Sequence, residues 1–242
     1  MSKNSSGFRC FWLTIAAALV TSVPAAAQQV AGSAELAPMV DAFRQGWAKT
    51  KEPMRMTVPL HGGILEFAMP HNFVPALRVE RDGQFLMAFI PDGETWPDFS
   101  QAVLVQSSNR LGAAPDTTAV LAEAVFKPRS CAGDALWEPL GEKDVGSPGP
   151  AFLAATGCAA LADNPAQGQQ SLLTLLRGNP DAAALIYTRR LPAFSASAPP
   201  ISAEAARRQI ADFGNIILCR SAEQKGCRDI WARDAIRKEA GK

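Results

Sequence analysis

The fold is decided by residues 84–106, which read QFLMAFIPDGETWPDFSQAVLVQ. Two apolar runs, 85–90 and 102–105, bracket a polar turn that begins at Pro91. Pro91 cannot donate a ladder hydrogen bond and so ends the first run, and Asp92-Gly93 tolerates the positive φ of a turn. The Val, Ile and Phe content favours strands, although a buried helix shows the same apolar pattern. Because neither run alternates, both are predicted to be strands buried on both faces of a sheet.

The same stretch carries a resemblance to a known family. The run Phe89-Ile90-Pro91-Asp92-Gly93-Glu94-Thr95, followed by Phe99-Ser100-Gln101 and Val105-Gln106, resembles a segment of uncharacterised bacterial exported proteins. Phe99 stands where that family more often has Trp, and Trp96-Pro97 lies just upstream. The family is similar to proteins of the Mog1/PsbP-type fold, so the resemblance implies an antiparallel sheet covered by helices. It implies no catalytic residues, because the family has none established.

Residues 1–27 have the pattern of an export signal. Lys3 and Arg9 charge the start, residues 11–20 are apolar, and Pro24-Ala25-Ala26-Ala27 offers a small-residue cleavage site. The apolar core is short for a membrane span, and Cys10 precedes it, so Cys10 is not placed as a lipid-anchored cysteine. Cleavage after Ala27 leaves 242 − 27 = 215 residues, which we expect in the periplasm or secreted. An uncleaved membrane anchor is the alternative.

Composition narrows the partners of the mature chain. Without Lys3 and Arg9, 24 − 2 = 22 basic residues face 23 acidic ones, for a net charge near −1. This balance argues against nucleic acid or an acidic lipid surface as the main partner. No later segment reaches a membrane-spanning length, so no stable span is expected after signal cleavage. An apolar content of 48% can form the core of a single globular domain over residues 28–242, with two small domains as the alternative.

Four cysteines remain beyond the signal: Cys131, Cys158, Cys219 and Cys227. An even number in an exported chain indicates disulfides, and four cysteines allow three connectivities. We favour the sequence-local pairs, 131 with 158 and 219 with 227, because each closes a compact loop. A metal site is the alternative, but no pair has C-x-x-C spacing and the chain has only two histidines. We predict no metal and no cofactor.

Helices are predicted at four places. The first spans 38–49 with Pro38 at its first position, and the second runs from an N-cap at Asp116 to about Lys127. The third runs from Ser202 to about Leu218, and a surface helix covers 228–238. Predicted buried positions of the first three are Met39, Val40, Phe43 and Trp47; Val120, Leu121, Ala124 and Val125; and Ala206, Ile210, Phe213 and Ile217. Further strands are expected at 55–58, 64–68, 135–140, 151–156, 171–177 and 183–190.

Candidate site residues are few. His61-Gly62-Gly63 resembles an esterase oxyanion loop, but the sequence contains no G-x-S-x-G nucleophile elbow to accompany it. The nearest string, Gly146-Ser147-Pro148-Gly149, has the wrong spacing. We therefore interpret residues 61–63 as a hairpin connection, and His71 as a loop residue. Arg177, Arg189 and Arg190 predict either a basic strand-end patch for an anion or solvated strand ends. Asp92 and Glu94 could point at one site, but we interpret them as solvated turn carboxylates.

These observations predict an α+β fold, in which an antiparallel β-sheet has helices packed on both faces in a Mog1/PsbP-like α/β/α sandwich. For function they favour an exported, periplasmic, non-enzymatic binding or assembly-accessory protein with an envelope protein as partner. An envelope hydrolase, with a site assembled from distant residues, is the competing hypothesis. A structural subunit of an envelope complex is the third.

Overall fold

The computed structural model describes residues 33–109, 111–145, 150–178, 180–224 and 226–240. The predicted export signal at 1–27 and most of the Gly/Pro-rich bend at 146–150 lie outside the described residues.

The helices and strands alternate irregularly along the chain. The helices are α1 (Ser33–Lys49), α2 (Thr118–Phe126), α3 (Ala203–Ala211) and α4 (Arg228–Ala240), with a 3₁₀ turn at Leu111–Ala113. The strands are β1 (Met54–Leu60), β2 (Gly63–Met69), β3 (Phe73–Arg81), β4 (Gln84–Pro91), β5 (Gln101–Ser108), β6 (Ala135–Lys143), β7 (Ala151–Cys158), β8 (Gln167–Arg177), β9 (Ala182–Pro192) and β10 (Ile217–Cys219).

Two antiparallel sheets form from these strands. The larger has seven strands in the order β3-β4-β5-β9-β8-β7-β6, and the smaller has the order β1-β2-β10. The two apolar runs of residues 84–106 pair directly as β4 and β5, with Met87 opposite Val105. Pro91 is the last residue of β4, and Gly93 has a φ of 92°. The strand–turn–strand prediction for this stretch is therefore confirmed.

Helices cover both faces of the seven-stranded sheet, as predicted. On one face, Leu153 and Leu185 of the sheet pack with α1, α3 and the small sheet in one core cluster. On the other face, the neighbouring side chains Phe152 and Ile186 pack against Ala122 of α2. Successive residues of a strand point to opposite faces, so this alternation places the helices on opposite sides. The α+β class with helices on both faces is confirmed.

Burial on both faces is complete only in part of the sheet. All eight residues of β7 are buried, whereas β5 leaves Leu104 and Gln106 half-exposed. The reason is the position of α2, which packs over β6, β7 and β8. The prediction that both apolar runs are buried on both faces is thus wrong at Leu86 of the 85–90 run and at Leu104 of the 102–105 run.

The predictions for α1 and α2 need correction. Helix α1 begins at Ser33, five residues before Pro38, because Leu36 extends its buried face and is only 4% exposed. Helix α2 is capped by the Thr117 side chain, which accepts from the Val120 N–H, and not by Asp116. Val120, at 54%, and Ala124 are exposed and not buried as predicted, because α2 turns Leu121 and Ala122 toward the sheet.

Helix α3 is shorter than predicted. It is capped by Ser202, as its sequence indicates, but ends at Ala211. Gly214 follows with a φ of 63°, which turns the chain out of the helix, and residues 217–219 then form β10. Phe213 is buried, as predicted, although it lies beyond the helix.

Among the described residues, three of the four edge strands contain a proline that discourages pairing with another strand. Strand β3, which the sequence analysis did not predict, lies at one edge of the large sheet, with a bulge after Pro75. Strand β6, at the other edge, has Pro139 at its bulge, and β1, at an edge of the small sheet, contains Pro59. Proline cannot donate to a ladder and is typical of edges. The remaining edge, β10, has three residues.

Both disulfides pair as predicted. Cys131 is bonded to Cys158 with a Cα–Cα distance of 5.3 Å, and Cys219 is bonded to Cys227 with a Cα–Cα distance of 5.5 Å. The first holds the chain beyond α2 to the end of β7. The second holds β10 to the residue before α4.

Candidate functional site: a groove beside Arg190

A groove of about 810 Å³ opens at the end of the large sheet where β4 ends and β5 begins. Three segments line it: the β4–β5 loop at 94–100, the β7–β8 loop at 161–167, and the end of β9 at 190–192. They meet because β5 and β8 both pair with β9 near this end, where Gln101 lies opposite Arg189 and Gln167 opposite Pro192. We call it the Arg190 groove.

Arg190 is held in the groove by an aromatic stack. Its guanidinium carbon lies 4.6 Å from the centre of the Phe99 ring, and Phe99 stacks on Trp96 with 5.0 Å between ring centres. The Arg190 backbone N–H donates to the Ser100 carbonyl at 2.8 Å, which fixes β9 against this loop. Within the described parts of the chain, the guanidinium makes no hydrogen bond or ion pair, and its Nε atom is buried. Trp96 Nε1 is likewise buried without an acceptor there.

The residues of the 89–106 motif shape the first wall. Glu94 accepts hydrogen bonds from the Ser100 backbone N–H at 2.7 Å and from the Ser100 hydroxyl at 2.5 Å. Gln101 accepts from the Tyr187 hydroxyl, whose pKa is raised by burial. The motif therefore closes and anchors the loop that carries Trp96 and Phe99.

Asp92 anchors the same loop from its other end. Both Asp92 oxygens accept from Arg44 of α1, with donor–acceptor distances of 2.8–3.1 Å. Hydrogen bonding to this guanidinium lowers the pKa of Asp92. The interpretation of Asp92 and Glu94 as solvated turn carboxylates is therefore wrong, because each binds a specific partner.

The second wall is fixed by the Cys131–Cys158 disulfide. Beside that bond, the Ala159 N–H donates to the Asp134 carbonyl at 2.9 Å, and the Ala132 N–H to the Ala160 carbonyl at 3.0 Å. The loop closes on itself where Leu161 N–H donates to the Gln167 carbonyl at 2.7 Å. The staple predicted from the cysteine count thus supports one side of the groove.

The rim of the groove is acidic. Its charged lining residues are Arg190 and three carboxylates, of which Glu94 is committed to Ser100. Asp98 and Asp163 are exposed and form no ion pair with any residue of the described segments. Among the described residues, the groove thus presents one uncommitted guanidinium and two uncommitted carboxylates.

The basic patch predicted from Arg177, Arg189 and Arg190 does not form. Arg177 lies at the β8 end that pairs with Ala182, whereas Arg189 pairs with Gln170 at the other end of the same hairpin. The Arg177 guanidinium donates to the carbonyls of Gly112, Ala114 and Asp116 and so anchors the chain before α2. Successive residues of a strand point to opposite faces of the sheet. This rule could have predicted that Arg190 and Arg189 point to opposite faces, because Arg190 continues the face of Ile186 and Thr188.

The two histidines lie away from the groove. His71 packs on Trp47, with 4.9 Å between ring centres, in the turn before β3. His61 lies in the β1–β2 hairpin turn, as predicted, and its Nδ1 is 3.5 Å from Glu80 Oε1. His61 and the buried Ser107 line a cavity of about 10 Å³, space for a single water. The Ser107 hydroxyl is without a partner in the described part of the chain.

The described residues show neither a metal-binding cluster nor a membrane-spanning helix. They contain no group of three or more His, Cys, Asp or Glu side chains placed to hold a metal ion. Among the helices they form, none has the length and apolar character needed to cross a membrane.

Comparison with known proteins adds distant similarity only. No family model matches the sequence, and no curated protein matches it. Among solved structures, the chain is similar to a point mutant of the protein Mog1 at 20% identity, with a TM-score of 0.34, over 67% of this chain and 86% of that one. It is also similar to the Saccharomyces cerevisiae Ran-binding protein Mog1p at 18% identity, with a TM-score of 0.33 and the same coverage.

Proposed function

We propose that this chain is an exported, periplasmic binding or assembly-accessory protein of the cell envelope, which acts without catalysis and holds an envelope partner in the Arg190 groove. The observation that carries the proposal is the Arg190 guanidinium, stacked on Phe99 and without an acceptor in the described residues. The buried Nε faces the protein, whereas the terminal nitrogens form no hydrogen bond to a described residue and are donors that a bound partner can engage.

The groove favours binding over catalysis. Its one close hydroxyl–carboxylate pair is Ser100 with Glu94, and the Ser100 N–H binds the same carboxylate. Such a double contact fixes a turn, and neither histidine is among the residues that line the groove. Nucleophilic catalysis by a serine needs a base within hydrogen-bond reach that is itself oriented by a third group.

Export is supported by two independent features. Residues 1–27 have the charge, apolar core and small-residue site of a cleavable signal. The chain also has two disulfides, which form and persist in oxidising compartments outside the cytosol.

Partner docking through a sheet edge is disfavoured by the edge prolines. Pro59, Pro75 and Pro139 each interrupt the row of donors that an added strand would need. The groove has a size that suits a ligand, because pockets that hold small ligands measure about 300–1,000 Å³.

The proposal is tested by site-specific photo-crosslinking in living cells. A photoreactive amino acid at Asp163 on the groove rim is compared with one at Glu123, an exposed residue of α2. We expect a discrete cross-linked envelope species at 163 and none at 123, with a mature N-terminus at residue 28 in the periplasmic fraction. Equal cross-linking at both positions, or a chain that retains residues 1–27 in the cytosol, overturns the proposal.

The hydrolase alternative has one supporting observation, the His61–Glu80 contact beside Ser107. A cavity of about 10 Å³ has no room for a substrate at these residues. Ester or amide hydrolysis by the purified protein that disappears in both Ser107→Ala and His61→Ala would favour this alternative over the binding proposal.

A further inference from the structure

The uncommitted guanidinium of Arg190 defines the first chemical requirement of a ligand. A guanidinium has five N–H donors in one plane and no acceptor. Stacking on Phe99 engages the flat face of the Arg190 guanidinium. The N–H donors lie along the edge of the guanidinium and are not used by this stacking. A carboxylate matches that edge with two parallel hydrogen bonds, a geometry in which Arg is favoured over Lys.

The rim defines the second requirement. Asp98 and Asp163 line the same groove and have no cationic partner in the described segments. Both carboxylates would repel a simple anion in the groove, because like charges repel each other. A ligand that brings its own cation satisfies both signs at once.

The size of the groove defines the third requirement of a ligand. A volume of about 810 Å³, open along two loops, is much larger than a single small ion needs. It suits a short extended segment with several rotatable bonds and charged groups at separate points. Resting on the proposed binding function, we infer that the groove binds the end of a peptide, with its terminal carboxylate on Arg190 and a basic side chain at Asp98 or Asp163.

The experiment measures binding of three acetylated tetrapeptides to the mature, disulfide-bonded protein by calorimetry. The first is Ala-Ala-Lys-Ala with a free carboxylate, the second is its C-terminal amide, and the third has norleucine in place of Lys. We expect the free acid to bind, and the amide to bind about tenfold more weakly or worse, since a charged hydrogen-bonded contact is lost. The norleucine peptide should bind about two- to fivefold more weakly, as for an exposed ion pair.

Variants assign each charge to its residue. In Arg190→Gln the acid and the amide should bind equally, and in the double variant Asp98→Asn/Asp163→Asn the Lys and norleucine peptides should bind equally. Arg78→Gln is the matched control, because Arg78 also lies over an aromatic ring, that of Phe85 at 5.8 Å, but outside the groove. Arg78→Gln should bind all three peptides as the wild type does.

Two results overturn this inference. One is equal binding of acid and amide to the wild type, and the other is no binding of any peptide at millimolar concentration. If either occurs while the cross-link from position 163 persists, the peptide inference fails and the proposed binding function stands. Loss of that cross-link as well overturns both. Thermal unfolding of Arg190→Gln and Arg190→Lys shows whether either variant has a folding defect. A stably folded variant that binds weakly has lost the two parallel hydrogen bonds of the guanidinium.

Discussion

Arg44 and Asp92 join helix α1 to the loop that begins after β4, through a two-pronged contact across 48 residues of chain. Because the same loop carries Phe99, this contact links α1 to the Arg190 groove. Arg44 lies on the exposed side of α1, whereas Phe43 beside it points into the core. The helix thus fixes the sheet by one face and the groove loop by another.

The Arg44–Asp92 contact predicts a pH dependence of stability. The hydrogen bond from Arg44 lowers the pKa of Asp92 in the folded state below its ordinary value of 3.8. A lowered pKa gives a contribution that is fully present above the unfolded pKa and is lost as the pH falls through the folded one. We expect Asp92→Asn to be less stable than the wild type at pH 7 and equal to it at the acid end.

Urea unfolding of both proteins between pH 7 and about pH 2 measures this difference, over the range in which carboxylates titrate. Asp41→Asn is the control. Asp41 Oδ1 lies 3.7 Å from Arg44 Nη1 on the exposed face of the same helix, so it pairs with Arg44 without joining the helix to the loop. A gap between wild type and Asp92→Asn that stays constant with pH would contradict the assignment.

Glu66 predicts an asymmetry between its own removal and that of its partners. Its side chain is 1% exposed and accepts from Arg55 at 2.6 Å and from Arg233 of α4 at 2.5 Å. The two arginine side chains are 66% and 49% exposed, so they regain water when the carboxylate is lost. Removing both arginines instead leaves a buried charge without a partner.

We therefore expect Glu66→Gln to lower the free energy of unfolding by about 1 kcal/mol. The double variant Arg55→Met/Arg233→Met should lower it by about 3–5 kcal/mol, the usual cost of an orphaned buried charge. Urea denaturation measures both changes. A double variant no less stable than Glu66→Gln would show that the carboxylate is not dependent on these two arginines.

The two disulfides predict different losses of stability. Their cysteines are 27 and 8 residues apart. The chain-entropy relation then gives about 3.5 kcal/mol for Cys131–Cys158 and about 2.5 kcal/mol for Cys219–Cys227 at 25 °C. Paired Cys→Ala variants measured by urea denaturation test the order, and the reverse order would contradict it. Reduction of the wild type should raise its intact mass by four hydrogens, and four free thiols in exported material would refute both bonds.

The structural features that the sequence predicts correctly are local ones. The strands β4 and β5, the β8–β9 hairpin and the Ser202 cap follow from short patterns of apolar, turn and capping residues. The helix errors come from patterns that fit two structures. Ile210, Phe213 and Ile217 have helical spacing, but Gly214 with its positive φ redirects the chain, and Ile217 enters a strand.

The groove could not be predicted in the same way. Its walls come from three segments separated by up to about a hundred residues, and only the sheet order brings them together. The motif at 89–106 supplies one wall but was linked only to the fold, and the disulfide predicted from the cysteine count lies behind the other wall. The role of Arg190 depends on its pairing with Ser100 and its stacking on Phe99, which no local pattern encodes.

Gln170 predicts a large effect from a single amide. Its side chain is fully buried in β8, where Nε2 donates to the Ile201 carbonyl at 2.7 Å and Oε1 accepts from the Ile201 N–H at 2.9 Å. Ile201 directly precedes the Ser202 cap, so this pair of bonds holds the start of α3 to the sheet. Gln170→Leu keeps the bulk but leaves both backbone groups of Ile201 without a partner.

We expect Gln170→Leu to lower the free energy of unfolding by about 2–6 kcal/mol, since each of the two orphaned buried groups costs about 1–3 kcal/mol. Amide exchange at Ile201 should accelerate because its N–H loses its acceptor. Gln169→Leu is the control, because Gln169 is half-buried on the neighbouring position of the same strand, and it should change stability by about 0.5 kcal/mol or less. Equal effects of the two substitutions would show that α3 is held by its apolar contacts, Ala206 and Ile210, rather than by the amide.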